Sequence, residues 1–134
     1  MSELIDQYNN ELKEHLVLDE FNIKDAQMKL PGRKHLWVGR LMRHKQELNN
    51  LKTKKSKLIQ KITKSIQESS AVRLSVPAAE KVAWNTEPIK ELSSQIGEQE
   101  LIIEFLEKIE KIFSGMSYDI KNIIEIKNSK QCNE

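Results

Sequence analysis

The sequence predicts an all-α protein in which a long antiparallel helical hairpin lies between a short N-terminal helical part and a C-terminal oligomerisation helix. Three observations predict this class. The 134-residue chain has only 4 glycines and 3 prolines, so few positions interrupt a helix. Apolar residues recur at steps of three and four along most of the chain. Aromatic residues make up 5% of the chain, so the core must consist mainly of Leu, Ile and Val.

We expect one helical domain over residues 1–134. The Pro31-Gly32 pair is predicted to end the N-terminal part, Thr86-Glu87-Pro88 to start a helix, and Gly115 to interrupt it. A short strand-like stretch is expected at Val72 to Val76. The predicted parts are N-terminal helices at 1–32, a basic helix at 33–67, a connection at 68–87, an acidic helix at 88–114 and a C-terminal helix at 116–130.

The basic helix carries a strongly one-sided charge. Residues 33–64 contain eleven Lys and Arg and one acid, Glu47, which makes this segment +10. Because the whole chain is +2, the remainder is −8. Such a separation predicts either pairing between faces of the chain or a surface that binds a polyanion.

Most of these cations are lysines, which act on phosphate as point charges rather than as readers of base edges. We therefore expect binding to nucleic acid without sequence preference. Trp84 either stacks on bases or closes one end of the hairpin. The residues predicted to contact DNA are Arg40, Arg43, Lys54, Lys57, Lys61, Lys64 and Trp84.

A heptad-like seam predicts how the basic helix packs. Its positions alternate steps of four and three and are Trp37, Leu41, His44, Leu48, Leu51, Lys55, Leu58 and Ile62. His44 is predicted to be a core histidine rather than a metal ligand, since no second ligand lies at helical spacing. The C-terminal helix is rich in isoleucine, and this surplus predicts either a subunit interface or further core packing. The candidate interface residues are Ile120, Ile123, Ile124 and Ile126.

Catalytic and cofactor chemistry have no recognisable motif in this sequence. It contains no nucleotide-binding glycine loop, no metal-ligand spacing and no paired nucleophile and base, so we expect neither an enzyme nor a cofactor or metal. Cys132 is the only cysteine, and the first residues resemble neither a signal peptide nor a membrane span. These features favour a cytoplasmic protein.

The order of these parts is similar to a known family. Trp37 opens a basic helix, a non-helical connection follows, and the C-terminal section carries Phe105 and the cluster from Tyr118 to Ile123. In these features the chain resembles the UvsY family, the recombination mediators of T4-like bacteriophages. The likeness covers most of the chain and is strongest from Trp37 to Lys57 and from Leu101 to Ile123.

The resemblance implies a protein in the cytoplasm of the infected host cell that binds single-stranded DNA and forms a ring of six or seven subunits. Its implied partners are a RecA-like phage recombinase, which it loads, and the phage single-strand binding protein, which it helps to displace. The family's Lys-x-Arg pair falls on Gln60 and Ile62 here, so no family DNA contact is carried over.

Two other functions remain open. One is a coiled-coil scaffold whose basic helix binds an acidic protein partner. The other, a helical transcriptional regulator, is disfavoured by the long uninterrupted seam, since such proteins use a short recognition helix.

Overall fold

A computed structural model of the chain describes the backbone of residues 2–132 and the side chains of residues 3–130. The side chain of Cys132 lies outside that part. Four helices follow one another, and no strand occurs within residues 2–132; they are α1 (Ser2–Leu16), α2 (Ile23–Ser69), α3 (Val76–Trp84) and α4 (Glu87–Cys132). The predicted all-α class with long helices is confirmed. None of these helices has the length and hydropathy of a membrane span over the described residues.

The chain divides into two compact units. Unit 1 contains residues 1–42 and 102–134, and therefore α1 with the N-terminal part of α2 and the C-terminal part of α4. Unit 2 is Arg43–Leu101, which contains the rest of α2, all of α3 and the start of α4.

The core of unit 1 is centred on Trp37, which is 1% exposed. Its ring makes an edge contact with Tyr8, at 5.3 Å between centroids, and stacks on Phe113 at 6.4 Å. Such aromatic pairs stabilise a core beyond the area they bury. The sequence therefore predicted the position of Trp37 correctly. The other buried apolar residues of this unit are Leu12, Ile23, Ala26, Leu30, Leu41, Ile102, Ile103, Leu106, Ile109, Met116 and Ile120.

Unit 2 has a smaller core between α2 and α4. Leu51 packs with Leu92 and Ile96, and His44 Nδ1 lies 2.8 Å from Gln99 Oε1. Residues later in α2 therefore contact residues earlier in α4. Within this unit the two helices run antiparallel. At the end of the seam Thr63 is buried, whereas the predicted Ile62 is only partly buried.

The predicted break at Pro31-Gly32 is wrong, because α2 continues through both residues. A proline inside a helix removes one hydrogen bond and costs about 3 kcal/mol. Buried residues on both sides offset this cost, since Leu30 before Pro31 and Trp37 after it both pack in unit 1. The predicted division between 1–32 and 33–67 therefore does not exist as a helix boundary.

The predicted connection at 68–87 contains a helix, α3, and no strand-like stretch at Val72 to Val76. Ser75 caps α3, as its side chain accepts a hydrogen bond from the Ala78 N–H at 3.3 Å, and Pro77 lies in the first turn. These are the usual start signals of a helix. Ala79 and Ala83 of α3 are buried, so this face of the helix packs inside unit 2.

The predicted interruption near Gly115 is also wrong, since 88–114 and 116–130 form one helix, α4. Phe113, Met116 and Ile120 follow one another at helical spacing, and all three are buried. Their burial in unit 1 outweighs the helix penalty of a glycine, which is about 1 kcal/mol relative to alanine.

We expect Gly115→Ala to raise the free energy of unfolding by about 0.5–1 kcal/mol, because an alanine lowers the entropy of the unfolded chain. A Cβ at Gly115 meets no atom within 4 Å, so no clash opposes the gain. Urea unfolding measures the change. Gly115→Pro should instead destabilise by about 3 kcal/mol. A tolerated proline would mean that α4 is interrupted here.

The Trp37 indole N–H donates a hydrogen bond to His15 Nδ1 at 3.1 Å, which requires the neutral ring. Burial, and then the positive charge of Arg33, lower the pKa of His15 below its usual 6.5, against the weaker effect of Glu14. A lowered pKa means that this contribution to stability is complete above about pH 6.5 and is lost as the pH falls through the lowered value.

Stability should therefore decrease on acidification from pH 7.5 towards pH 5. Urea unfolding across this range measures it, and His15→Gln, which does not titrate, should flatten the dependence. An equally steep dependence in the variant would assign the effect to other groups.

Candidate nucleic-acid interface

Five basic residues of α2 in unit 2 share one face. Successive residues of a helix are rotated by about 100°, which places these five positions within an arc of about 80°. They are Arg43, Lys54, Lys57, Lys61 and Lys64, and all five are exposed. We call Lys54, Lys57, Lys61 and Lys64 the lysine row. Its steps of three or four residues advance about 5 Å along the helix axis.

No acidic side chain of the described part of the chain neutralises the lysine row. No ion pair within the described side chains involves any of its four members, although α4 carries acids in the same unit. Among the acids of α4, Glu104 pairs locally with Lys108 at 3.5 Å in unit 1. Unpaired ammonium groups in a row keep their full charge for an external anion.

Arg40, which the sequence also predicted to contact DNA, makes contacts within the chain. It belongs to unit 1, where its guanidinium forms an ion pair with Glu11. The same group lies 4.8 Å from the ring centroid of Tyr8 and 4.6 Å from that of Trp37. These contacts hold Arg40 against the unit 1 core, and it is only partly exposed, so we remove it from the candidate interface.

Trp84 lies on a different surface from the lysine row. Its side chain is 50% exposed at the end of α3, and the Lys55 ammonium is 3.9 Å from its ring centroid. Together with Lys52 and Gln60, these residues line an open cavity of about 520 Å³ in unit 2. Lys52 is rotated by about 160° from Lys54 on the helix. Trp84 therefore lies beside Lys52 and Lys55 rather than beside Lys54, and its predicted stacking on bases stays a prediction.

Lys55 was assigned to the seam, and its contact with Trp84 was not foreseen. The two residues lie on different helices, and no periodicity relates them. A lysine stem can cover an apolar surface while its charged end remains accessible. This explains how a basic residue occupies a seam position without an unpaired buried charge.

The two positions aligned with the family's Lys-x-Arg pair carry no charge in this chain. Gln60 lines the Trp84 cavity and lies about 40° from Lys64 on the helix, and Ile62 is partly buried. The charge of the lysine row therefore comes from other positions, with Gln60 at its edge. Within the described side chains no group of three or more metal-ligating residues occurs.

The predicted interface isoleucines of α4 have unequal exposure in unit 1. Ile120 is 2% exposed and belongs to the core, so it is not an interface residue. Ile123 and Ile124 are partly buried, and Ile126 is 55% exposed. Ile112, which the sequence analysis did not select, is 46% exposed and lies within about 60° of Ile123 and Ile126 on the helix. We call Ile112, Ile123 and Ile126 the isoleucine stripe.

Comparison of the chain with models of known protein families, with curated proteins and with solved structures finds no match.

Proposed function

We propose that the protein binds single-stranded DNA without sequence preference, and that the lysine row is the binding surface. The observation that carries this proposal is a row of four exposed lysines on one helix face with no acidic partner among the side chains of residues 3–130. Lysine gives electrostatic affinity for phosphates and little base discrimination. Arg43 extends the same face towards the start of unit 2.

Single strands, rather than duplex, are proposed on two grounds. The resemblance to the UvsY family implies a single-strand binder, and the half-exposed Trp84 supplies an aromatic ring of the kind on which unpaired bases stack. Because Lys55 already lies over that ring, a base stacking on the same face would have to displace its ammonium group. Trp84 is therefore a secondary contact in this proposal.

The same resemblance supports a role as a non-enzymatic recombination mediator, which loads a RecA-like recombinase in place of a single-strand binding protein. A surface of several weak charge contacts suits this role, since a strand held in this way can be released stepwise. The assay is recombinase filament formation on a strand precoated with single-strand binding protein. We expect the protein to shorten the lag before the recombinase filament forms.

A salt titration tests the DNA-binding proposal. Each phosphate neutralised on a single strand contributes about −0.7 to the slope of log K against log salt, so four contacts predict about −3 per protomer. The titration uses a labelled single strand, with duplex and an acidic polypeptide as competitors. A shallow slope, or stronger competition by the acidic polypeptide, would favour the scaffold function.

We also propose that the protein self-associates through the isoleucine stripe, because exposed isoleucines on one face favour a buried contact. Ile112→Glu combined with Ile126→Glu should give a smaller species in sedimentation, since charges would enter a desolvated interface. The matched control is Ser114→Glu with Asn128→Glu, an exposed pair with the same spacing on the opposite face of α4. An unchanged mass in the isoleucine variant would place the interface elsewhere.

A further inference from the structure

The turn between α1 and α2 presents a fully exposed aromatic side chain. Phe21 is 97% exposed, although phenylalanine is usually among the more buried residues. It is absent from the predicted core, from the lysine row and from the isoleucine stripe. An exposed Phe in a mobile loop would not indicate a binding surface. Whether the turn is ordered therefore matters for its role.

Hydrogen bonds fix this turn on both sides of Phe21. The Asp19 carboxylate accepts from the backbone N–H groups of Phe21 and Asn22, each at 2.8 Å. The Asn22 side chain accepts from the Asp19 N–H and donates to the Val17 carbonyl, again at 2.8 Å. Glu20 is tied to Lys130 of α4 at 2.8 Å. The ring is thus displayed on a preorganised backbone, which lowers the entropy lost on binding.

An open cavity of about 830 Å³ lies beside the same turn in unit 1. Its apolar lining consists of Leu12, Leu16, Val17 and Ile109, and its polar lining consists of Asp6, Asn9, Asn10 and Lys13. A cavity of about 150 Å³ is enough for a benzene ring, so this one accommodates a phenylalanine side chain.

We propose that Phe21 inserts into this cavity of a second copy of the chain, and that the second copy's Phe21 enters the first in return. Val17 lines the cavity, and Phe21 follows it by four residues, a reach of at most about 14 Å. The backbone of Phe21 therefore lies within about 14 Å of the cavity lining, so one region of unit 1 carries both the ring and the cavity. A patch that carries both is self-complementary about a two-fold axis.

Charges beside the ring and the cavity agree with this pairing. Before Phe21 the turn carries the exposed acids Asp19 and Glu20, of which Glu20 is paired with Lys130, and after Phe21 comes the exposed base Lys24. The cavity lining supplies a base, Lys13, and an acid, Asp6. Opposite charges across an interface favour the correct orientation of the partners. The contact rests on the proposed self-association of the protein but uses a different surface from the isoleucine stripe. Variants can therefore test the two contacts independently.

Sedimentation equilibrium tests the contact in the full chain carrying Ile112→Glu and Ile126→Glu, which removes the contact through the isoleucine stripe. Phe21→Ala removes two buried rings per pair and should weaken self-association about a hundredfold or more. Met28→Ala, at another exposed apolar position of unit 1, should leave it unchanged. An unchanged constant for Phe21→Ala would overturn the proposal, whatever the isoleucine stripe variants show.

A mixing experiment tests the reciprocal insertion. Asn9→Arg places a long side chain at the cavity, so this variant keeps the ring and loses the cavity. In the same background of Ile112→Glu and Ile126→Glu, Asn9→Arg and Phe21→Ala should each associate only weakly with themselves. When the two variants are mixed, labelled mixed pairs should form about tenfold more strongly than either variant pairs with itself. The reason is that Phe21 of the Asn9→Arg chain can enter the intact cavity of the Phe21→Ala chain. No gain on mixing would overturn the reciprocal contact.

Discussion

Replacing Lys57 and Lys61 together with alanine is expected to reduce the salt dependence of single-strand binding by about 1.4 in slope per protomer. Each lysine that neutralises a phosphate contributes about 0.7. At about 0.1 M salt the loss of these two contacts should lower the affinity roughly 25-fold. Each contact raises log K by about 0.7 between 1 M and 0.1 M salt. The loss should be similar for all base compositions, since lysine does not read base edges.

The matched control is Lys111→Ala with Lys121→Ala, which removes the same charge from exposed positions of α4 in unit 1. It should change the slope little, because only charges near the strand release counterions. Trp84→Ala should lower affinity with little change in slope. If the Lys57 and Lys61 variant kept both slope and affinity, the lysine row would not be the DNA surface, and the scaffold function would be favoured.

Trp37→Ala is expected to destabilise the protein by about 3–5 kcal/mol, which is the usual cost of removing a large aromatic from a core. The ring is 1% exposed and contacts Tyr8 and Phe113, so its loss leaves a cavity in unit 1. Since small domains are stable by only about 5–15 kcal/mol, much of the folding free energy would be lost. Urea unfolding followed by circular dichroism measures the change.

Trp37→Phe separates packing from hydrogen bonding. It keeps an aromatic ring but removes the N–H that donates to His15, so we expect a smaller loss of stability than for alanine. Phe113→Leu, at another buried ring of the same cluster, is a suitable comparison. A Trp37→Ala protein as stable as the wild type would contradict the central position of this residue.

Local sequence signals predicted much of the fold. Apolar spacing identified α1 as a helix, and Thr86-Glu87-Pro88 marked the start of α4. The sequence-based helix boundaries were wrong at two residues that usually break helices. Pro31 and Gly115 lie inside helices because buried neighbours such as Leu30 and Phe113 stabilise the helix across them.

The candidate sites show the same division. The charge of the basic segment alone predicted Lys54, Lys57, Lys61 and Lys64 as DNA contacts, and the structure adds that all four are exposed on one helix face. Exposure of Phe21 was not foreseen, because a phenylalanine beside helical segments is ordinarily assigned to a core. Only the hydrogen bonds of the turn show that the ring is displayed to solvent.

By itself the sequence determined the helical class and the +10 segment. These properties follow from composition and from the 3.6-residue period, which are local. The tertiary structure decided that Arg40 pairs with Glu11, that Lys55 covers Trp84 and that Ile120 is buried. Contacts between distant residues depend on how helices pack, and helical spacing alone does not specify the partner that a side chain meets.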